Sequence, residues 1–408
     1  MDGETGPTIA IFVWGDVIEQ WLDTIGLTTK GFAERMTGGW IFGYVEALRR
    51  AGWRPIIVSA SSQADTTTRL VHSGTGAPIW LVPGTAVYRT GRSPNVASLH
   101  SWLATPLRAF REVIKRESCR ALLIQEYEYA RFDALVRLAG RLGIPAYASF
   151  QGGDRTLSWI EGLVRPRSLE RCAGLIIASS EERLRVEKLY AARPPIANIP
   201  NPIDSDEWQS IDRGEARDLL GLPQETFIAI NHGRIAVHRK GLDVMLQAWA
   251  AAGGDELIVI GSGQDNDEFA ALLAKSGLRN VRWIQGFTTD RPLLRRWLSA
   301  ADIYITTSRV EGMPVAALEA MACGLPIVAT DAQGLPDILE DGEASGGLLV
   351  PRENSSAVAA AIERLRTDPE LRSRLSRAAR QRIEQRFSIP VVGAALGKFF
   401  AATGAEVR

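Results

Sequence analysis

EGMPVAALEAMACGLPIVATDAQG, residues 311–334, sets two carboxylates, Glu311 and Glu319, around the start of a helix. Pro314 suits the first helical position, because its missing N–H would have had no intrahelical partner. AALEAMAC continues the helix, and Gly324 followed by Pro326 ends it. The stretch Met313, Pro314, Val315 and Ala316 gathers unpaired N–H groups at the positive end of the helix dipole, a seat for a phosphate. Glu319 lies about 7–8 Å further along, at ~1.5 Å per residue, and its side chain leans back toward that seat. A ligand with a central diphosphate would meet one carboxylate with hydroxyls on each side. A nucleotide-sugar has that shape.

Two glutamates at this spacing are more often surface residues of an ordinary amphipathic helix. The flanks change the reading. IYITTS before the helix and LPIVAT after it read as buried strands. Strand, acidic loop, helix, glycine and strand make a βαβ unit, with the loop at a strand's carboxyl end, where open α/β sheets bind ligands.

The rest of the chain has the same grain. Seven apolar runs, at 9–14, 55–60, 79–83, 121–125, 144–150, 175–179 and 197–201, read as strands with helices between them. Six more follow at 227–233, 256–263, 281–286, 302–308, 326–330 and 347–351. Non-alternating apolar strands separated by helices imply parallel sheets covered on both faces. The run IPNPIDSDEW, residues 199–208, reads as the hinge. The expectation is two Rossmann-like α/β domains facing across an interdomain cleft: residues 1–203, residues 204–386, and a last helix, 387–408, returning to the first domain.

A length of 408 residues, with 46% hydrophobic and 23% charged, suits two soluble globular domains. The formal net charge of +0 gives no reason to expect nucleic acid as a partner. Cys119, Cys172 and Cys323 stand singly, which suggests neither disulfides nor a thiolate metal cluster. No apolar run is long enough to span a membrane, and MDGETGPT lacks the basic start of a signal peptide. A cytoplasmic location is the default expectation. Peripheral membrane contact through arginines such as Arg165, Arg167 and Arg171 stays open, although scattered arginines are more commonly just solvated.

GRIAVHRKG, residues 233–241, follows the first strand of the second half and supplies Arg234 and Lys240. Two fixed cations facing a diphosphate would stabilise the charge that builds as a sugar leaves. A solvated basic loop is the plain alternative. With the two glutamates and the βαβ unit, this motif makes the chain resemble the retaining glycosyltransferases of family 4, which have the GT-B fold. The likeness covers nearly the whole chain and is strongest from Asn198 to Pro351.

That resemblance implies a nucleotide-sugar donor, UDP-sugar ahead of GDP and ADP conjugates, and a hexose passed to a small-molecule, lipid or glycan acceptor. It implies no metal and no cofactor. Glu319 would grip the ribose and Glu311 the sugar hydroxyls, with Arg234 and Lys240 on the diphosphate; Arg239 could share the role of Lys240. Gly38 and Gly39, in TGGW, would close over the donor phosphates. Gly286 and Phe287, in QGFTTD, would line the base. The long stretch Gly15 to Thr37 reads as an acceptor-binding loop.

One departure stands out. In SFQGGDRTLSW, residues 149–159, Gln151 occupies the place of a family histidine. Glutamine donates and accepts hydrogen bonds but carries no proton. Gln151 would then position the substrate, with Asp154 as its acidic companion. This departure supports one alternative, a non-catalytic nucleotide-sugar-binding or regulatory protein; a second, a sugar-nucleotide epimerase, would need acid/base residues around the hexose, and the missing histidine counts against it. The D-x-D runs at 204–206 and 265–267 read as ordinary loop acids. His232 and His238 flank Arg234 and could be loop residues at the donor site, although plain surface histidines are the commoner case. GSGQDN lacks the third glycine of a dinucleotide fingerprint, and there is no Walker A sequence.

Overall fold

Apolar runs without alternation bury both faces of a strand, and they do so twice along this chain. The computed structural model describes residues 6–36, 40–87, 93–152, 157–286 and 290–405. It divides into two units, Met1–Pro200 with Val392–Arg408, and Asn201–Val391. The division falls within the expected hinge. The second unit runs on to Val391, beyond the boundary expected at 386.

The first unit holds β1 (Thr8–Phe12), β2 (Arg54–Ser61), β3 (Thr68–Val71), β4 (Pro78–Pro83), β5 (Cys119–Gln125), β6 (Ala146–Ser149), β7 (Gly174–Ile176) and β8 (Ile196–Ala197). They form one sheet in the order β3-β4-β2-β1-β5-β6-β7-β8. All pairs are parallel except β3 with β4. The sequence pattern misses β3, a mostly exposed edge strand, TRLV, with two polar residues. Helices cover both faces and make two apolar cores, one around Ile9, Ile11 and Phe42, the other around Phe12, Phe110 and Phe132.

The stretch after β1 is not the open loop that its length suggests. It folds into short helices, Glu19–Leu22 and Thr29–Glu34, separated by a 3-10 turn. Ile18, Leu22, Leu27, Phe32 and Met36 are buried in the first core. Apolar residues at helical spacing outweigh the polar ones between them.

The second unit holds β9 (Ile228–His232), β10 (Glu256–Gly261), β11 (Val281–Gln285), β12 (Ile303–Thr306), β13 (Ile327–Thr330) and β14 (Gly347–Val350). The order is β11-β10-β9-β12-β13-β14, and every pair is parallel. The chain moves outward from β9 through β10 to β11, then returns to lay β12 on the other side of β9. The two loops leaving β9 and β12 therefore diverge at the switch point.

The tail rejoins the first unit. On the helix Ile389–Ala402, Val392, Leu396 and Phe400 sit four residues apart, one turn after another, and are fully buried. Phe400 packs against Tyr147, with ring centroids 4.4 Å apart, and edge-on to Trp53 at 5.9 Å. Tyr147 Oη lies 2.9 Å from Thr403 Oγ1. No helix among the described residues is long and apolar enough to cross a membrane. All three cysteines are free and buried.

Truncating Phe400 removes a fully buried ring from between two aromatic partners. Phe400→Ala is expected to cost about 3–5 kcal/mol of unfolding free energy, read from urea denaturation. A loss below about 1 kcal/mol would mean that the tail contributes little to the first unit.

Candidate active site

Parallel strands deliver their loops to one edge, and in the second unit most of the expected donor residues arrive there together. The helix after β12 spans Val315–Ala322. Pro314 is its N-cap, not its first helical residue as expected, with φ −68° and ψ 110°. No side chain caps this end, so the first-turn N–H groups are offered to whatever anion docks. Met313 is buried, and its carbonyl accepts from Asn201 Nδ2 at 3.2 Å. The far end closes as expected: Gly324 takes φ 74°, and the amides of Gly324 and Leu325 bond back to Met321 and Ala320.

The seat is held by main chain packed on main chain. Gly334 has φ +84°, and a Cβ there would lie 1.6 Å from the Gly312 carbonyl oxygen. Gly241 has φ +58°, and a Cβ there would come within 2.0 Å of the Thr307 oxygen. Only glycine fits at either place. Arg309 reinforces the second contact. It forks onto Asp243 with two bonds of 2.8 Å, and its amide donates to the Arg239 carbonyl at 2.9 Å. The guanidinium holds the Asp243 carboxyl below its ordinary value.

Glu311 is buried in the loop before the helix. Lys240 Nζ donates to its Oε1 at 2.5 Å, and Ser308 Oγ to the same oxygen at 2.6 Å. The side chain of Lys240 thus meets the acidic loop. Arg234 is half-buried two residues beyond the end of β9. Asp265, read as an ordinary loop acid, accepts the Val237 amide at 2.9 Å and so ties the basic loop to the one after β10. Gly286, with φ +128°, donates its amide to Ser262 Oγ at 2.7 Å at the outer end of the same edge.

Glu319 lies one turn into the helix and is nearly buried. Its Oε2 is 2.8 Å from Nε2 of His232. This corrects the reading of His232 as a surface histidine: it is 7% exposed, because its strand is covered on both faces. Its place as the last residue of an apolar strand, just before Gly233 and Arg234, was the available signal. Arg291 was also missed. It pairs with Glu207; burial lowers its guanidinium pKa, and the charges of Glu319 and Asp204 partly offset that. Among the described residues, no cluster of three or more His, Cys, Asp or Glu side chains is arranged to hold a metal.

In the first unit, Gln151 follows β6. Its amide donates to Glu126 Oε2 at 3.0 Å, and its Nε2 to Ser149 Oγ at 3.1 Å. Glu126 directly follows β5 at φ 76°, a strained angle for a residue with a Cβ. Its other oxygen accepts the Glu128 amide at 3.2 Å. Burial, with the charge of Glu128 added, pushes the Glu126 carboxyl up to about 8. Arg165 is not a surface cation. It is fully buried, forked onto Asp133 at 2.9 and 3.0 Å and bonded to the carbonyls of Tyr127 and Tyr129. Gly38, Gly39, Asp154 and Phe287 lie outside the described residues.

Two Rossmann-like units of this make are the GT-B fold. Across 97% of this chain and 98% of the other, the structure superposes on sucrose-phosphate synthase from Thermosynechococcus elongatus, with a TM-score of 0.77 at 19% identity. Residues 212–382 match the family model of the glycosyl transferases group 1, so the second unit carries a domain of that family. A D-inositol 3-phosphate glycosyltransferase of Streptomyces bingchenggensis is 32% identical over 56% of this chain, which spans 52% of that protein. Another, from Kribbella flavida, is 27% identical over 77% of this chain and 80% of its own length.

The proton on Glu126 gives a pH test. Between its ordinary value of 4.5 and about 8, the folded chain holds that proton and the unfolded chain releases it. Raising pH through this window therefore costs stability. Wild type is expected to lose stability from about pH 5 to about pH 8, with a shallower slope in Glu126→Gln. Equal slopes in urea denaturation would place the Glu126 pKa near its ordinary value.

Proposed function

We propose that this chain is a retaining glycosyltransferase that moves a hexose-type sugar from a nucleotide-diphosphate sugar, UDP-sugar first, to an acceptor without a metal. The observation that carries the reading is the uncapped helix start at Val315, at the carboxyl end of β12. Glu311 precedes it, Glu319 lies on its next turn, and the basic loop of Arg234 and Lys240 leaves the neighbouring strand.

The diphosphate lies on the helix amides, where the dipole and unpaired N–H groups favour negative charge. Arg234 and Lys240 stabilise the charge that gathers on the leaving phosphate as the glycosidic bond breaks. Glu311, held by Lys240 and Ser308, accepts hydrogen bonds from sugar hydroxyls. Glu319 accepts from the ribose. The acceptor hydroxyl attacks from the face the nucleotide leaves, so its proton passes to the departing phosphate oxygen and the anomeric configuration is kept. No side-chain base is required by that path, which is consistent with glutamine at position 151. The first unit supplies the acceptor side, and the relatives' names make a phosphorylated polyol the first acceptor to assay.

Melting temperature with UDP, GDP, ADP and their sugar conjugates tests the donor site. A ligand at about 100 times its Kd stabilises by about 2.7 kcal/mol. Glu319→Ala is expected to weaken donor binding by about 1.5–3 kcal/mol; unchanged affinity would remove Glu319 from the site. Arg234→Ala should lower kcat by roughly 10²–10³ with little change in donor affinity. A change confined to affinity would make Arg234 a binding residue only.

A further inference from the structure

His232 has no task in the reaction above, yet the fold holds it firmly. It ends β9, and its ring stands edge-on to Tyr304 of β12, with centroids 5.5 Å apart and planes at 70°. Its carbonyl accepts from Tyr304 Oη at 3.2 Å. The imidazole thus has a fixed orientation, and its Nε2 reaches Glu319 Oε2, 2.8 Å away. That contact joins the end of β9 to the helix that follows β12, across the point where the strand order reverses.

A carboxylate only accepts hydrogen bonds, so the contact assigns a proton to Nε2. Nδ1 is buried and has no hydrogen-bond partner among the described residues. Burying an unpaired nitrogen costs free energy, and an apolar side chain at this strand end would avoid that cost. The gain lies at Glu319. A glutamate side chain has three torsions, and its carboxylate swings freely unless one oxygen is tied. With Oε2 held by His232, the direction of Oε1 is set as well.

We propose that His232 is a positioning residue for the nucleotide's ribose. By tying one oxygen of Glu319 it aims the other at a ribose hydroxyl, so the preference for ribonucleoside over 2′-deoxyribonucleoside diphosphates depends on His232. This rests on Glu319 as the ribose carboxylate. The diphosphate seat, built from main chain, does not involve His232.

Titration calorimetry with UDP, GDP and ADP, each beside its 2′-deoxy counterpart, tests this on wild type, His232→Phe and His232→Gln. Phenylalanine keeps the ring beside Tyr304 and removes the nitrogen; glutamine keeps an N–H that reaches Glu319. Wild type should favour the ribo form by roughly 10- to 100-fold, the worth of one hydrogen bond to a charged group. In His232→Phe that ratio should fall to about 3-fold or less while affinity for the 2′-deoxy form is kept, and His232→Gln should restore much of the ratio. His232→Leu serves if the phenylalanine variant does not fold. A full ratio in His232→Phe overturns the inference and leaves Glu319 in place. Equal loss of both affinities makes His232 merely structural and also overturns it. A wild type that does not distinguish the two forms, or binds none of the three nucleotides, overturns the ribose reading of Glu319 and the inference with it.

Discussion

The second unit's site depends on the reversal of strand order between β9 and β12. Because β10 and β11 build to one side and β12 to β14 to the other, the two central loops leave in opposite directions. At such a divergence no crossover covers the strand ends, which is where open α/β sheets bind ligands, and the helix start at Val315 lies there. Each later feature uses that arrangement. The basic loop leaves one side, the acidic loop the other, and Lys240 meets Glu311 between them. Glycine at 241 and 334 lets the loop backbones touch, and Arg309 on Asp243 and Asn201 on the Met313 carbonyl hold them there.

The first unit shows the same reversal between β1 and β5, filled differently. Its carboxyl edge carries buried ionisable groups: Glu126, which keeps its proton, on strained backbone, Glu128 and Glu182 around Arg185, and Asp133 forked by Arg165. Such networks are costly to bury and are stable only when nearly every member is bonded. Here they set the loops after β5 and β6, and so the placement of Gln151. The second unit offers main chain to a ligand; the first holds its loops with salt bridges.

Much of this was legible in the sequence. The six strands of the second unit and the main strands of the first announce themselves as apolar runs, because a strand covered on both faces has no polar side to show. β3 did not, since an exposed edge strand satisfies no burial pattern. The helices after β1 were hidden because their apolar residues are thinly spread between polar ones. Glu311, Glu319 and the helix start stood out through their spacing together with the flanking strand patterns, and Lys240 through its basic loop and the family resemblance. His232 carried only a weak signal, its place at the end of an apolar strand, and Arg291 none, because the partners of each are remote in sequence. Arg165 misled for the same reason: its residue type says surface, and only Asp133, on another helix, makes burial affordable.

The buried thiols have a practical consequence. Burial pushes Cys119, Cys172 and Cys323 each up to about 12, the last helped by the charge of Glu319. Since thiolate is the reactive form, the native fold presents almost no nucleophilic sulfur to alkylating reagents or mild oxidants. A cysteine placed at any exposed position would then take a fluorophore or spin label alone, with the natural three left in the sequence. Slow modification of the native thiols would in turn time the opening of the cores that enclose them.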